Sequence, residues 1–295
     1  MESFRHDELV PSRPKERLEM VRLVVAVGVT IGYGKTIVMD LMEEWKEVDF
    51  ILISRSGTGL ERLTQSMREK GFTRNITTHT IDLTDISSLE GALSTVYNGV
   101  SGEEYEGIYL FNISGTLDPI GLVSTTNNLQ QIRQSMDLNI TSFTYLSHHF
   151  LSHFTKNLEV TTAASRDTPK PISADAKIFM INISSLCGIL PFQGFGAYCT
   201  GKAARDMFYR VIAEEARLLE PKVVTLNYAP GPMYTEMVED AIRSDFAPIR
   251  DMYLEMKEKD SFVKPKDSVA KLRYILDAKK FESGSHIDIY DELSY

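Results

Sequence analysis

Short β-branched segments alternate with amphipathic helical segments along most of the chain, and no other feature restricts the fold as strongly. Strand patterns occur at 21–27, 49–54, 78–81, 107–112, 176–183, 222–227 and 286–290, and long helical segments at 128–154 and 197–219. Strands that alternate with helices form a parallel sheet covered on both faces. The sequence therefore predicts a doubly wound α/β fold of about seven strands, whose ligands bind at the carboxyl ends of the strands.

Composition excludes several classes of protein. The 41 acidic residues outnumber the 32 basic ones among 295, whereas nucleic-acid-binding proteins normally carry a basic surface. Two cysteines, Cys187 and Cys199, are too few for a disulfide framework or a four-cysteine zinc site. No apolar run approaches the roughly 20 residues that span a bilayer. We therefore expect a cytoplasmic protein with neither a nucleic-acid nor a membrane partner, and no metal site.

Two segments fit the alternating pattern poorly. Residues 1–20 contain four bases, five acids and two prolines, which suits neither a signal peptide nor a transit peptide. We expect this segment to be a flexible extension before a single domain at 21–295. Residues 156–176 are small, polar and proline-containing, which indicates an exposed insertion between a helix and a strand.

A glycine-rich turn follows the first strand pattern and leads into the first helix. Gly28, Gly32 and Gly34 have the spacing G-x-x-x-G-x-G. Glycines at this point let the backbone approach a pyrophosphate, and the helix amino terminus offers it free N–H groups. A plain tight turn would show the same glycines, but a strand before and a helix after them favour nucleotide binding.

The end of the second strand indicates which nucleotide binds. An acidic residue there would accept a hydrogen bond from the ribose 2′-hydroxyl of NAD, whereas an arginine accommodates the 2′-phosphate of NADP. The strand ends in Ser54-Arg55-Ser56, with no acid. We therefore predict NADP(H), with a solvated surface role for Arg55 as the alternative.

A serine, a tyrosine and a lysine carry the candidate chemistry. Tyr198 and Lys202 are four residues apart and share one face of a helix, so the ammonium is expected to lower the pKa of the phenol. Ser185 ends the preceding strand, where its hydroxyl can bind a carbonyl oxygen. A lone pair with this spacing is usually a helix-surface contact, but the serine and the glycine turn together favour a catalytic site.

Three segments make the chain resemble the short-chain dehydrogenase/reductase family, and within it the members that reduce 6-substituted pterins such as sepiapterin. They are 182–207, 226–237 and 284–291, and the broader resemblance runs from residue 21 to the end. The resemblance implies a Rossmann-like single domain that reduces side-chain carbonyls of sepiapterin or 6-pyruvoyl-tetrahydropterin with NADPH. That reaction is the final step of tetrahydrobiopterin synthesis.

The resemblance also implies roles for individual residues. Tyr198 would donate the proton, Lys202 would lower the pKa of Tyr198 and bind the nicotinamide ribose, and Asn139 would hold a water in the proton relay. Ser185 would polarise the carbonyl, and Leu186, Gly231 and Asp288 would contact the pterin. Asp288 would accept two N–H donors from the 2-amino-pyrimidinone edge. The implied cofactor contacts are Gly28, Val29, Thr30, Ile31, Gly32, Tyr33, Gly34, Arg55, Ser56, Asp82, Leu83, Asn112, Lys202, Met233, Tyr234, Thr235, Glu236, Met237 and Val238.

The chain departs from the family pattern in its cofactor half. Val27 stands where the turn usually begins with threonine, and Ile31 stands where NADP-preferring members often have a base. Ile113 replaces the second asparagine of the segment after the fourth strand. Lys35, just after the turn, can supply some of the missing positive charge. The Ser185, Tyr198, Lys202 and Asn139 set is complete, so we expect a working enzyme.

Two other functions remain open from the sequence. One is a carbonyl or diketone reductase with another substrate, and the other is a non-catalytic NADPH-binding sensor, which the altered glycine turn alone favours. The resemblance also implies a homodimer formed through the two long helices. The histidines at 148, 149 and 153 are interpreted as helix-surface or subunit-contact residues rather than zinc ligands.

Overall fold

A computed structural model describes residues 21–155, 176–218 and 223–292. The expected flexible extension lies outside these residues, as does nearly all of the expected insertion at 156–176. Within the described ranges, no helix is long and apolar enough to cross a membrane.

Seven parallel strands form one sheet in the described part of the chain, with the order β3-β2-β1-β4-β5-β6-β7. The strands are β1 (Arg22–Val27), β2 (Val48–Ser54), β3 (Ile76–Thr80), β4 (Gly107–Asn112), β5 (Ile178–Ile183), β6 (Val223–Ala229) and β7 (His286–Asp288). The predicted doubly wound sheet is confirmed. The order reverses between β1 and β4, and such a reversal places a crevice at the carboxyl ends of the strands.

Helices connect the strands and cover the sheet. They are α1 (Gly32–Glu44), α2 (Gly57–Glu69), α3 (Ile86–Leu93), α4 (Leu129–Met136), α5 (Ser142–Phe154), α6 (Gly196–Glu215), α7 (Glu236–Ile242), α8 (Ala247–Glu258) and α9 (Pro265–Ala278). The predicted helix at 197–219 corresponds to α6 followed by a short 3₁₀ turn.

The two faces of the sheet carry separate apolar cores, because successive side chains of a strand point to opposite faces. Val24 and Ala26 of β1 join the core beneath α1, α2 and α9, whereas Leu23 and Val25 join the core beneath α3, α5 and α6. A third, smaller apolar cluster packs α7 and α8 over the carboxyl ends of the strands. It includes Tyr198, so this candidate catalytic tyrosine sits at the base of a helical cover.

The segment predicted as one helix at 128–154 contains an irregular turn. α4 passes into a π-helical turn at Asp137–Thr141, which leads directly into α5. Asn139 lies in this turn and is 1% exposed. Single π turns within α-helices often occur at functional sites. The interruption therefore marks the point where this helix meets the site.

Candidate active site

A cleft of about 1070 Å³ opens at the carboxyl ends of the strands. One end is lined by the glycine turn and the end of β2, the middle by the ends of β4 and β5, and the far end by the cover helices and β7. Glycine turn, serine, tyrosine and lysine therefore share one cavity. The topology brings together motifs that are more than 150 residues apart in the chain.

The glycine turn is built for close backbone approach. Gly28 has φ +87°, and a Cβ there would lie 2.4 Å from the hydroxyl oxygen of Ser114. A Cβ on Gly34 would lie 2.1 Å from the carbonyl oxygen of Gly28, so the turn folds directly against the start of α1. A Cβ on Gly32 would meet nothing closer than 3.7 Å. Gly32 has φ +53°, so its backbone also favours glycine, and the space around it leaves the outer face of the turn open.

The amino terminus of α1 suits an anionic group. Its first turn contains no acidic residue, and Ile31, the residue before it, provides no side-chain cap. The first N–H groups of a helix have no partner within the helix, and the helix dipole favours negative charge there. The glycine turn and this helix end therefore fit the pyrophosphate of a dinucleotide.

Three basic side chains line the end of the cleft nearest β2. Arg55 follows β2, Lys35 lies in the first turn of α1, and Arg62 lies in α2. The carboxyl end of β2 bears no acid, and Ser56 caps α2 by accepting from the Gly59 amide at 3.0 Å. This positive environment fits a phosphate on the ribose better than a free hydroxyl. Arg62 was missed by the sequence analysis, because in one dimension it is an ordinary polar residue of an amphipathic helix.

Tyr198 and Lys202 are buried on the face of α6 that looks into the cleft. They are 8% and 4% exposed, and the Lys202 Nζ lies 5.5 Å from the centre of the Tyr198 ring. Ser185 is half-buried two residues beyond β5, and its Oγ accepts from the Cys187 amide at 3.1 Å. All three line the cleft. The structure therefore places the predicted catalytic group in one site.

The protonation of the tyrosine differs from the sequence expectation. Burial raises the pKa of Tyr198 above its ordinary value, and the nearby Cys187 and Tyr253 act in the same direction. Hydrogen bonding with Ser185 and the charge of Arg205 oppose the increase without cancelling it. The expected lowering by Lys202 does not prevail, because removal from water disfavours the phenolate. Tyr198 is therefore a neutral phenol, which can donate a proton.

Lys202 is held at the end of β5. Its Nζ donates to the Ile183 carbonyl oxygen at 2.6 Å. The pKa of Lys202 is lowered to about 7, mainly by burial and further by the charge of Arg205, while Asp206 and Cys187 oppose the decrease. A buried lysine with a depressed pKa lining a cleft is typical of functional sites.

Four predicted contact residues do not line the cleft with their side chains. The Asn139 side chain forms two hydrogen bonds with the backbone of Thr116: its Nδ2 donates to the carbonyl oxygen at 2.9 Å, and its Oδ1 accepts from the amide at 3.1 Å. Asn112 donates to Ser147 of α5 beneath one face of the sheet, Val29 is fully buried in the opposite core beneath α1, α2 and α9, and Tyr234 accepts from Lys257 on the outer surface. Asn139 therefore fixes the loop after β4, because its side chain is already fully hydrogen-bonded.

The remaining predicted contacts all line the cleft. They are Gly28, Thr30, Ile31, Gly32, Tyr33, Gly34, Arg55, Ser56, Asp82, Leu83, Met233, Thr235, Glu236, Met237 and Val238, together with Leu186, Gly231 and Asp288. Asp288 ends β7, and its Oδ1 accepts from the Tyr290 amide at 3.0 Å. Among the described residues its second oxygen accepts no hydrogen bond, which leaves an acceptor on the cleft wall.

The interior of the substrate end is mostly apolar. Side chains from the loop after β4, the loop before α6 and α8 supply aromatic and thioether surface: Leu117, Ile120, Phe192, Phe195, Met252, Tyr253 and Met256. The contribution of the loop at 117–120 was not foreseen in the sequence analysis. This lining suits a flat, partly aromatic substrate held at one edge by a polar group.

The histidines and cysteines singled out in the sequence lie beside the site or outside it. His149 stacks on Tyr97 with ring centres 5.2 Å apart, and His153 Nε2 is 2.9 Å from the Val100 carbonyl oxygen. Among the described residues no cluster of histidines, cysteines and acids could hold a metal ion. Cys187 is buried, which raises the pKa of its thiol to about 12.

Comparison with known proteins gives consistent relatives. The sequence model of the short chain dehydrogenase family matches residues 22–245. Sepiapterin reductase of Meriones unguiculatus is 31% identical over 90% of this chain and 95% of its own length. That of Bos taurus is 31% identical over 92% and 95%. Benzil reductase ((S)-benzoin forming) of Bacillus cereus is 28% identical over 91% of this chain and 99% of its own length.

Solved structures share the fold at lower identity. The KRED1-Pglu enzyme superposes with a TM-score of 0.69 at 18% identity, covering 90% of this chain and all of that one. Levodione reductase superposes with a TM-score of 0.67 at 16% identity, covering 92% and 96%. These identities support the architecture alone, so any function must be argued from the site and the closer relatives.

Proposed function

Because the chain belongs to the short-chain dehydrogenase family of oxidoreductases, we propose that it is an NADPH-dependent reductase of side-chain carbonyls on a 6-substituted pterin such as sepiapterin. The observation that carries this proposal is the placement of Ser185, Tyr198 and Lys202 in one cleft with the glycine turn and with Asp288. Each of these features is common alone, and their convergence on one cavity requires this fold.

The residues of the chain perform the proton half of the reduction. A reduced nicotinamide, held by the glycine turn and by Lys202, would supply hydride chemistry at the carbonyl carbon when bound. Tyr198, which burial keeps neutral, donates its proton to the carbonyl oxygen, so that carbonyl, hydride and proton give an alcohol. The Ser185 hydroxyl donates to the same oxygen and polarises the bond. Lys202 has its Nζ 5.5 Å from the centre of the Tyr198 ring, and it would hold the nicotinamide ribose when the cofactor is bound.

The proposed preference for NADPH depends on the positive charge at one end of the cleft. The glycine turn and the amino terminus of α1 fit the pyrophosphate, and Arg55, Arg62 and Lys35 surround the place where a ribose 2′-phosphate would lie. The intact catalytic group argues against a non-catalytic sensor, since such a protein has no need of a buried tyrosine and lysine beside the cofactor.

The substrate half rests on Asp288 and on the relatives named sepiapterin reductase. A pterin presents an amino group and a ring N–H at one edge, and a carboxylate accepts both. Asp288 offers an acceptor at the far end of the cleft from the glycine turn. With that edge bound to Asp288, the pterin ring would lie along the apolar lining, and its side-chain carbonyl would be directed at Tyr198.

A diketone reductase is the second candidate, and the benzil reductase relatives favour it. An apolar, aromatic-lined cleft accepts a diaryl diketone without any acidic anchor. The two candidates share the catalytic group and differ only in their need for Asp288.

A substrate panel tests the proposal. Purified protein is assayed with sepiapterin and with benzil, using NADPH and NADH in parallel. We expect turnover of sepiapterin with NADPH, reduced by about 10²-fold or more in Tyr198→Phe because general-acid catalysis contributes that much. NADPH binding, measured by fluorescence titration, should be unchanged in the variant. Good turnover of benzil and none of sepiapterin would transfer the assignment to the diketone reductases.

A homodimer through α5 and α6 is part of the proposal. Met207 and Val211 of α6 are 53% and 44% exposed, although both are apolar and one helical turn apart. A second copy of the same face would cover them, since a two-fold interface is self-complementary. Light scattering should give a dimer for the wild type and a monomer for Met207→Glu/Val211→Glu. A monomeric wild type would disprove this arrangement.

A further inference from the structure

A third residue shares the catalytic face of α6. Tyr198, Lys202 and Arg205 are spaced by four and then three residues, so they form one stripe along the helix. Their side chains are increasingly buried, at 8%, 4% and 2% exposed. Arg205 thus lies directly behind the tyrosine and the lysine as seen from the cleft.

Arg205 is fixed to the π-helical turn that interrupts the long helix. Its Nε donates to the Asn139 carbonyl oxygen at 2.5 Å, and its Nη2 lies 3.3 Å from the Leu138 carbonyl oxygen. Its guanidinium carbon lies 4.7 Å from the centre of the Phe143 ring. Nη1 is buried and has no hydrogen-bond partner among the described residues. The guanidinium is thus rigidly held although its donors are not all satisfied.

The positive charge of Arg205 has no partner carboxylate. Among the described residues, Arg205 forms no salt bridge, although Asp206 is adjacent in sequence. The Asp206 carboxylate points the other way, because Asn182 and Ser184 donate to its Oδ1 at 3.0 and 2.5 Å and His286 Nδ1 lies 2.6 Å from its Oδ2. Burying an unpaired charge costs several kcal/mol. Neutral donors would satisfy the same carbonyl groups, so hydrogen bonding alone does not explain an arginine here.

The charge of Arg205 acts on the two residues that precede it on the stripe. It adds to burial in lowering the pKa of Lys202, and it opposes burial at Tyr198. The other groups that face this pair are Asp206 on α6, Cys187 on the turn after β5 and Tyr253 on α8. Of the groups that act on Tyr198 by charge, Cys187 and Tyr253 raise its pKa and Arg205 lowers it.

We propose that Arg205 is a positioning residue of the proton-transfer site, whose buried guanidinium fixes the turn bearing Asn139 and holds a permanent positive charge behind Lys202 and Tyr198. This inference rests on the proposed reductase function, since it assigns a role in proton donation. When Tyr198 gives up its proton it becomes a phenolate in a site that disfavours negative charge. A fixed cation nearby stabilises that phenolate at no cost in reorganisation, which is the usual way in which preorganised charge accelerates a reaction.

The titration of Lys202 tests the inference without substrate, cofactor or turnover. Trace labelling with acetic anhydride across a pH series, followed by mass spectrometry of the Lys202 peptide, gives the midpoint of its protonation. We expect a midpoint near 7 in the wild type. In Arg205→Met and Arg205→Gln the midpoint should rise by about one pH unit or more, because a neighbouring positive charge is removed. Arg205→Lys should keep the wild-type midpoint, and so should Arg68→Met, which removes an exposed arginine outside the cleft.

The kinetic arm uses the same variants. Loss of the guanidinium charge should lower kcat for the carbonyl substrate by about tenfold or more, because the phenolate of Tyr198 loses a stabilising charge. The KM for NADPH should be nearly unchanged, because Arg205 does not line the cleft. Combined with Tyr198→Phe, removal of this charge should cause little further loss. An unchanged Lys202 midpoint in both neutral variants would overturn the inference, as would an equal rise in Arg205→Lys, which would indicate local loosening. If no carbonyl compound is reduced by the wild type, the proposed function fails, whereas the titration still reports on Arg205.

Discussion

Position 31 bears directly on the phosphate site proposed for this cleft. Ile31 is 51% exposed at the entrance to α1, where an apolar residue offers a phosphate nothing. Across the cleft, Arg62 extends from α2 and forms neither a salt bridge nor a hydrogen bond with the other described residues. Under the proposed function, Arg62 and Arg55 would supply the positive charge that Ile31 does not.

Replacing Arg62 with alanine should weaken NADPH binding and leave NADH binding nearly unchanged. Each charge-assisted contact to phosphate contributes about 1.5–3 kcal/mol, so we expect the Kd for NADPH to rise about tenfold or more. Fluorescence titration of both nucleotides measures this selectivity. Arg68→Ala, on the same helix but outside the cleft, is the matched control. Equal weakening of both nucleotides would place Arg62 against the shared part of the cofactor instead.

Asp288 should discriminate between the two candidate substrates. Asp288→Asn keeps the acceptor that bonds the Tyr290 amide but loses the charge that receives the pterin edge. We expect the KM for sepiapterin to rise about tenfold or more, since charge-assisted bonds are roughly twice as strong as neutral ones. Turnover of benzil should be unaffected, which makes that substrate the internal control. A variant that loses both activities equally would show that Asp288 acts through the fold of β7.

At the scale of elements, local sequence patterns were sufficient to predict the parallel sheet and the glycine turn. Apolar runs and glycines are local signals, and the sheet order then determines where the ends of β1 and β5 meet. The π turn at Asp137–Thr141 could not be foreseen, because its extra residue is stabilised by distant contacts, including that of Arg205. The sequence analysis paired Tyr198 with Lys202 but did not single out Arg205, because nothing in the spacing indicates that this arginine is buried.

The close packing of α1 on the glycine turn makes Gly34 the most restrictive position of that element. Gly34→Ala would place a methyl group 2.1 Å from the Gly28 carbonyl oxygen, so the turn and the helix must separate. We expect a loss of about 1–3 kcal/mol of unfolding free energy and a larger loss of NADPH affinity, because overpacking displaces the N–H groups that receive the pyrophosphate. Urea denaturation and nucleotide titration measure the two effects.

Gly91→Ala serves as the opposite control for Gly34→Ala. Gly91 lies in α3, and nothing lies within 4 Å of a Cβ built there. Alanine stabilises a helix interior by roughly 0.5–1 kcal/mol relative to glycine, so this variant should be slightly more stable and bind NADPH normally. If Gly34→Ala leaves the unfolding free energy and the NADPH affinity unchanged, the turn can relax, and the role assigned to this glycine is wrong.

Across the whole molecule, one buried polar network connects the elements that carry the site. Asp206 of α6 receives hydrogen bonds from Asn182 and Ser184 and contacts His286, while the Asn227 amide donates to its backbone carbonyl at 3.3 Å. These partners belong to β5, β6 and β7 and their ends, which lead to Ser185, Gly231 and Asp288. The Asp206 carboxylate at the centre of this network therefore connects the stability of the fold with the position of the residues that line the cleft.

Lys202 should make the stability of the whole protein depend on pH in a defined window. Its pKa is lowered from 10.5 to about 7 in the folded state, so between these values the unfolded chain binds the additional proton. The free energy of unfolding therefore rises with pH across this range, by at most about 1.4 kcal/mol per pH unit from this group, and is insensitive to it below 7. Above pH 9 the raised pKa of Cys187 acts in the opposite direction, since the unfolded thiol ionises first. The clearest window is thus pH 7 to 9.

Urea denaturation followed through the single tryptophan, Trp45, measures this dependence, because its buried ring reports on the core beneath α1 and α9. Lys202→Met should be less steep than the wild type between pH 7 and 9, whatever its absolute stability, since the methionine binds no proton. Lys70→Met, which removes an exposed lysine at the end of α2, should keep the wild-type slope. Equal slopes in wild type and Lys202→Met would mean that Lys202 remains charged in the folded protein. Its ammonium would then face Tyr198 throughout catalysis, and the need for the charge of Arg205 would disappear with it.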